Sequence, residues 1–161
     1  MARHRHDPSR NLVGFLVGEI SYAVRIESVR EIVNPLTIVD VPRPPESVLG
    51  VADYRGDVVV VIDMRTRFGL PASPPTRKTK WVVLDLGGRY AALVVDAVTD
   101  VFGTRGEAVR ESPRLGDGED DRRGIAGVVT YADEMVFVLD TQAIARLAEP
   151  VASAPKHARG A

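Results

Sequence analysis

The sequence predicts an all-β protein made of two small, related β-barrels with short helical turns. Three observations carry this: the apolar runs are short and valine-rich, turn signals fall between successive runs, and the two halves of the chain repeat each other. Of 161 residues, 45% are hydrophobic, 27% charged and 6% aromatic, the usage of a soluble globular chain rather than a fibrous or wholly disordered one. With 21 Lys and Arg against 22 Asp and Glu, the net charge of -1 draws the whole chain neither to nucleic acid nor to an anionic membrane. The absence of cysteine removes disulfides, thiolate zinc sites and thiol catalysis. No apolar stretch approaches the ~20 residues that span a bilayer, and the start, MARHRHDPSR, is polar rather than signal-like. A cytoplasmic location with no direct membrane insertion is therefore expected.

In chain order, residues 1–10 read as a disordered N-terminal arm and the fold as 11–148. Strands are predicted at 12–17, 22–26, 58–62, 81–86, 90–95, 125–129 and 135–139, where β-branched residues dominate. Gly18-Glu19, Arg55-Gly56-Asp57, Gly87-Gly88 and Ala132-Asp133 each lie between two such runs and mark antiparallel hairpins. Helical pattern is confined to a turn at 47–49 stopped by Gly50, another at 64–68 ended by Gly69, and a short C-terminal helix at 141–148 after Asp140. Residues 71–78 read as a linker and 103–124 as a long charged loop. The acidic run GDGEDDRR at 116–123 lacks the ligand spacing of a calcium loop and is read as solvated. The Pro- and Ala-rich segment 149–161 completes the chain as a disordered tail.

The internal repeat organises these elements. A shift of 69 places sets Gly18 over Gly87, Glu27 over Asp96, Val29 over Val98, Glu31 over Asp100 and Ile32 over Val101. A shift of 77 sets Gly50 over Gly127, Tyr54 over Tyr131, Asp57 over Glu134, Val59 over Val136 and Asp63 over Asp140. Units at about 15–70 and 84–147 follow, each too small to hold a substantial core alone. Where the repeat breaks, function has room to enter: Arg55 stands over Ala132 and Gly56 over Asp133. The first hairpin tip thus offers a guanidinium beside exposed backbone, where the second offers neither.

Catalytic constellations lack parts. His4, His6 and His157 fall in the terminal segments, no phosphate-binding glycine loop is present, and Asp53 and Asp57 flank a turn as capping carboxylates do. No enzyme activity, cofactor or metal site is expected. Val29, Val98 and Val101, at the ends of repeat-related strands, are either plain core or the lining of a groove between the halves. A small β-barrel nucleic-acid-binding protein is the alternative reading, since such barrels hold single strands on aromatics interleaved with Lys or Arg.

The ordered segments FLVGEISYAV at 15–24, VREI at 29–32, GVADYRG at 50–56, VIDMR at 61–65, RFG at 67–69 and LVVDAVTDV at 93–101 resemble the CheW family of chemotaxis coupling proteins over about residues 12–147. The resemblance implies two pseudo-symmetric five-stranded SH3-like β-barrels. It also implies a non-enzymatic adaptor joining the cytoplasmic tip of a methyl-accepting chemoreceptor to the regulatory domain of a CheA-type histidine kinase. Partner contacts carry over to Val29, Glu31, Gly50, Arg55, Val98 and Val101, with Gly56 in the same turn as Arg55. Departures from the family pattern are Asp53-Tyr54 where Asn-Leu is usual, Val60 for a common proline, and Lys80 for an apolar residue. Because a guanidinium forks onto a carboxylate, Glu31 is the expected local partner of Arg55.

Overall fold

The computed structural model describes residues 11–103 and 124–152. The expected arm at 1–10, the charged loop between 104 and 123 and the tail from 153, with all three histidines, lie outside the described residues. The first copy of the repeat runs β1 (Asn11–Val17), β2 (Ile20–Arg25), a single 3-10 turn (Ile26–Ser28), β3 (Val29–Val33), β4 (Val48–Tyr54), β5 (Asp57–Asp63) and α1 (Met64–Arg67). The second runs β6 (Lys80–Asp85), β7 (Tyr90–Val95), β8 (Ala97–Gly103), β9 (Ile125–Tyr131), β10 (Glu134–Leu139) and α2 (Thr141–Ala152).

The strands form two five-stranded sheets, sheet I in the order β8-β1-β2-β10-β9 and sheet II in the order β3-β6-β7-β5-β4. Substituting each strand by its repeat counterpart converts one order into the other. Registers agree too: Leu12↔Arg25 corresponds to Trp81↔Val94, and the parallel pair Val136↔Ser21 to Val59↔Tyr90. Each sheet nevertheless draws strands from both of the expected units at 15–70 and 84–147. Sheet I takes β1 and β2 from the first copy and β8, β9 and β10 from the second, and sheet II is the converse. The exchange has a backbone reason: parallel pairing of β2 with β10 and β5 with β7 supplies partners that each hairpin lacks within its own copy.

Three apolar clusters follow from this weave. Ala52, Tyr54, Val59, Val61, Trp81 and Val83 fill sheet II, and Leu12, Ala23, Phe102, Val129 and Val138 fill sheet I. Between them lies a shared core containing Val13, Phe15, Tyr22 and Val24 of sheet I with Val60, Ile62, Val82, Leu84 and Leu93 of sheet II. Strand β5 thus sends Val59 and Val61 into its own barrel and Val60 and Ile62 into the shared core, which is why it carries no polar face. Tyr22 stacks on Phe68 with ring centroids 4.3 Å apart, joining β2 to the residue that ends α1.

Asp63 and Asp140 occupy equivalent helix starts, as the repeat predicts. Asp63 accepts from Arg65 N at 3.2 Å and Asp140 from Gln142 N at 2.9 Å. Two local expectations are corrected. The helical turn at 47–49 is absent, because Val48 already pairs with Ile62 and opens β4. The C-terminal helix does not stop at 148 but runs to Ala152, so the tail expected from 149 begins as helix; Ile144 and Ala148 are buried in the shared core and anchor it.

Candidate functional site

Glu31 lies in the middle of β3, at one edge of sheet II, and Tyr54 ends β4 at the other edge. After Tyr54 the chain reverses through Arg55 (φ 50°) and Gly56 (φ 85°), a two-residue turn whose left-handed residues match the twist of the flanking strands. Asp53 Oδ1 accepts from Gly56 N at 2.9 Å and holds the turn closed. The turn aims Arg55 back across the sheet edge, where Nε and Nη2 donate to Oε1 and Oε2 of Glu31, both at 2.9 Å. Tyr54 donates its hydroxyl to Glu31 Oε1 at 2.6 Å. One carboxylate thus receives three hydrogen bonds, two of them the parallel fork that suits a guanidinium. The Arg55 Cζ lies 5.7 Å from the Tyr54 ring centroid, within cation–π reach.

The charges respond. The Arg55 guanidinium, followed by the Tyr54 hydroxyl, holds the Glu31 carboxyl below its ordinary value. The bond to Glu31 pushes the Tyr54 hydroxyl up, and the same carboxylate raises Arg55 further. Tyr54 is 4% exposed, whereas the Arg55 side chain is 65% exposed. The latch is therefore anchored in the barrel and open on its arginine side.

The repeat separates fold from addition. In sheet I, Tyr131 donates to Asp100 Oδ2 at 2.5 Å, joining β9 to β8 as Tyr54 and Glu31 join β4 to β3. A tyrosine–carboxylate latch thus closes both barrels, and Arg55 is added to one of them. The expected Glu31–Arg55 pair is present and closes sheet II.

The remaining sequence-predicted residues fall in two places. Gly50, at φ 148° in β4, meets the loop before it so closely that a Cβ would lie 2.2 Å from Val39 O, so no side chain fits. Val29 and Val98, paired with Leu84 and Phe15, are half-buried against the shared core. Val101 is 49% exposed on β8, an edge strand of sheet I. Val29, Glu31, Gly50, Arg55 and Gly56 thus belong to sheet II, and Val98 and Val101 to sheet I. Sequence reasoning missed Tyr54 as the third member of the latch, although its recurrence as Tyr131 beside the recurring acids Glu31 and Asp100 was a readable signal. It also missed Asp96, which accepts from Gly18 N at 2.6 Å and from Arg65 Nη1 at 2.7 Å, tying the β1–β2 turn of sheet I to α1. The repeat marks that node only in part: Gly18 and Asp96 recur as Gly87 and Glu27, but Arg65 faces Gln142 in the alignment. Among the described residues no group of three or more metal-ligating side chains occurs, and no helix is long and apolar enough to cross a membrane.

The CheW-like domain description matches residues 11–149, spanning every strand of both sheets. The chain belongs to the CheW family. It is 30% identical over 144 residues to the chemotaxis protein CheW of Rhizobium meliloti, covering 89% of this chain and 92% of that one. It is also 30% identical over 132 residues to CheW of Helicobacter pylori, covering 82% and 79%. The crystal structure of the scaffolding protein TtCheW from Thermoanaerobacter tengcongensis is similar at a TM-score of 0.73 and 25% identity, covering 87% of this chain and 90% of that one. Membership of the CheW family displaces the nucleic-acid-binding alternative.

Proposed function

We infer that this CheW-like chain is a non-enzymatic coupling adaptor of a chemotaxis signalling system, joining chemoreceptors to a CheA-type histidine kinase in the cytoplasm. The observation that carries this reading is the family match across all ten strands. Two barrels of one topology but different decoration suit an adaptor that engages two partners at once. On this reading the kinase contributes its regulatory domain and the receptor its cytoplasmic tip. Contacts centre on Arg55, Glu31, Gly56, Val29 and Gly50 of sheet II and on Val98 and Val101 of sheet I. A standard interface covers about 800 Å² per partner, an area that each small barrel can supply once. Influence on kinase output then requires only that the chain bind one signalling state better than another.

The test is the affinity of Arg55→Ala for the isolated kinase regulatory domain and for a receptor-tip fragment, measured by calorimetry. Loss of roughly tenfold or more for at least one partner is expected, as for a guanidinium at a contact centre. Unchanged affinity for both would return Arg55 to a solvated turn residue.

A further inference from the structure

Sheet I carries an open pocket of about 220 Å³ beside its tyrosine–carboxylate latch, lined among others by Gly14, Ser21, Asp100, Tyr131, Ala132 and Glu134. Its origin is legible in the repeat. Where sheet I has Gly14, Ser21 and Ala132, sheet II has Val83, Tyr90 and Arg55. Tyr90 packs edge-on against Tyr54 at 6.0 Å, and Arg55 lies on Glu31. At Ser21 and Ala132 the smaller side chains leave open what Tyr90 and Arg55 cover in sheet II, whereas at Gly14 the neighbours close in, a Cβ there lying 2.8 Å from Thr99 Oγ1.

The filled copy shows what the hollow one is shaped for. Glu31, the counterpart of Asp100, holds a guanidinium through two hydrogen bonds while accepting from Tyr54. Asp100 accepts in the same way from Tyr131. The backbone that would deliver the guanidinium is also the same, for Ala132 has φ 52° and Arg55 φ 50°. The turn side chain differs, and the acid is shorter by one methylene, with Asp100 Oδ1 also accepting from Val101 N at 2.9 Å. The Phe102 and Tyr131 rings stack on each other at 3.9 Å and 13°, and both residues line the pocket. Glu134 adds a second carboxylate to the lining, accepting from Ser21 Oγ at 3.3 Å.

We propose that this pocket binds the guanidinium of an arginine presented by another polypeptide, with Asp100 taking the fork that Glu31 gives to Arg55. A protein source is favoured by the surroundings: Val101 and Met135, next in sequence to Asp100 and Glu134, are 49% and 51% exposed and offer apolar contact to a chain carrying the arginine. The proposal concerns sheet I and shares Val101 with the contacts of the adaptor reading, but it is tested without either partner.

The experiment is a titration of the full chain, followed by amide chemical shifts, with N-acetyl-arginine-N-methylamide and with its citrulline and lysine equivalents. Saturable shifts are expected at Gly14, Ser21 and Asp100 but not at Glu31, with citrulline and lysine at least tenfold weaker. Asp100→Asn should abolish them. So should Ala132→Arg, which supplies the guanidinium from the chain's own turn; dispersed spectra establish that each variant is folded. Absence of saturable shifts, their survival in both variants, or equal binding of the lysine or citrulline form would overturn the proposal. Free L-arginine binding tenfold more tightly than the capped form would overturn the polypeptide source. No kinase or receptor enters the measurement, so its failure is distinct from failure of the adaptor reading.

Discussion

Glu31 is the residue on which the latch depends, and its chemistry fixes when the latch holds. Its carboxyl is depressed below the ordinary 4.5, so the stability it contributes is fully present above about pH 4.5 and is lost as pH falls through the depressed value. Tyr54 is raised above the ordinary 10.0, so its share is present below that pH and lost as pH rises through the raised value. The difference in melting temperature between the native chain and Glu31→Gln should therefore be flat from about pH 6 to 9 and shrink below about pH 4. Since the Arg55 side chain is 65% exposed, Arg55→Ala should shift melting by no more than roughly a few degrees, whereas Glu31→Ala should shift it more because buried Tyr54 loses its acceptor. Their effects on partner affinity should be non-additive in the double variant, and strict additivity would separate the two residues in function. Arg55 was legible because the repeat breaks there. Tyr54 was harder to read because a tyrosine on a strand passes as core until its hydroxyl is seen to aim at an acid, and only the joint recurrence of tyrosine and acid in both copies signals the bond.

At the scale of elements, β8 distinguishes the two roles open to its valines. Val98 faces the shared core and Val101 faces solvent. Val101→Asp should leave the circular dichroism spectrum and melting intact while weakening partner binding; Val98→Asp should lower melting sharply, as a charge forced toward a core does. Helix α2 gives a second test. Ile144 is 3% exposed, so Ile144→Ala should cost about 2–5 kcal/mol in denaturant unfolding, whereas ending the chain after Ala152 should cost almost nothing. Hairpins were readable because glycine and left-handed turn residues punctuate valine-rich runs. The end of α2 was not, because Pro150 reads as a stop, whereas the helix anchored by buried Ile144 and Ala148 continues past it to Ala152. The turn expected at 47–49 failed likewise: pairing of Val48 with Ile62 outweighs a local signal from flanking proline and glycine.

For the whole molecule, the repeat was visible in the sequence and the exchange of strands was not. Periodicity reports which face of a strand is apolar, and β2 and β5 have two; nothing local says that their parallel neighbours come from the other copy. The exchange makes the two barrels one cooperative unit. Fragments divided within 71–78 should each be unfolded alone and regain β-structure when mixed, with the intact chain melting in a single transition. Such a body can hold two partners at a fixed separation, which is the central claim made for it. The most direct measurement is sedimentation velocity of the chain mixed with the kinase regulatory domain and a receptor-tip fragment together. A single ternary species heavier than either binary complex is the expected result. Mutually exclusive binding of the two partners, or no complex with either, would contradict the account.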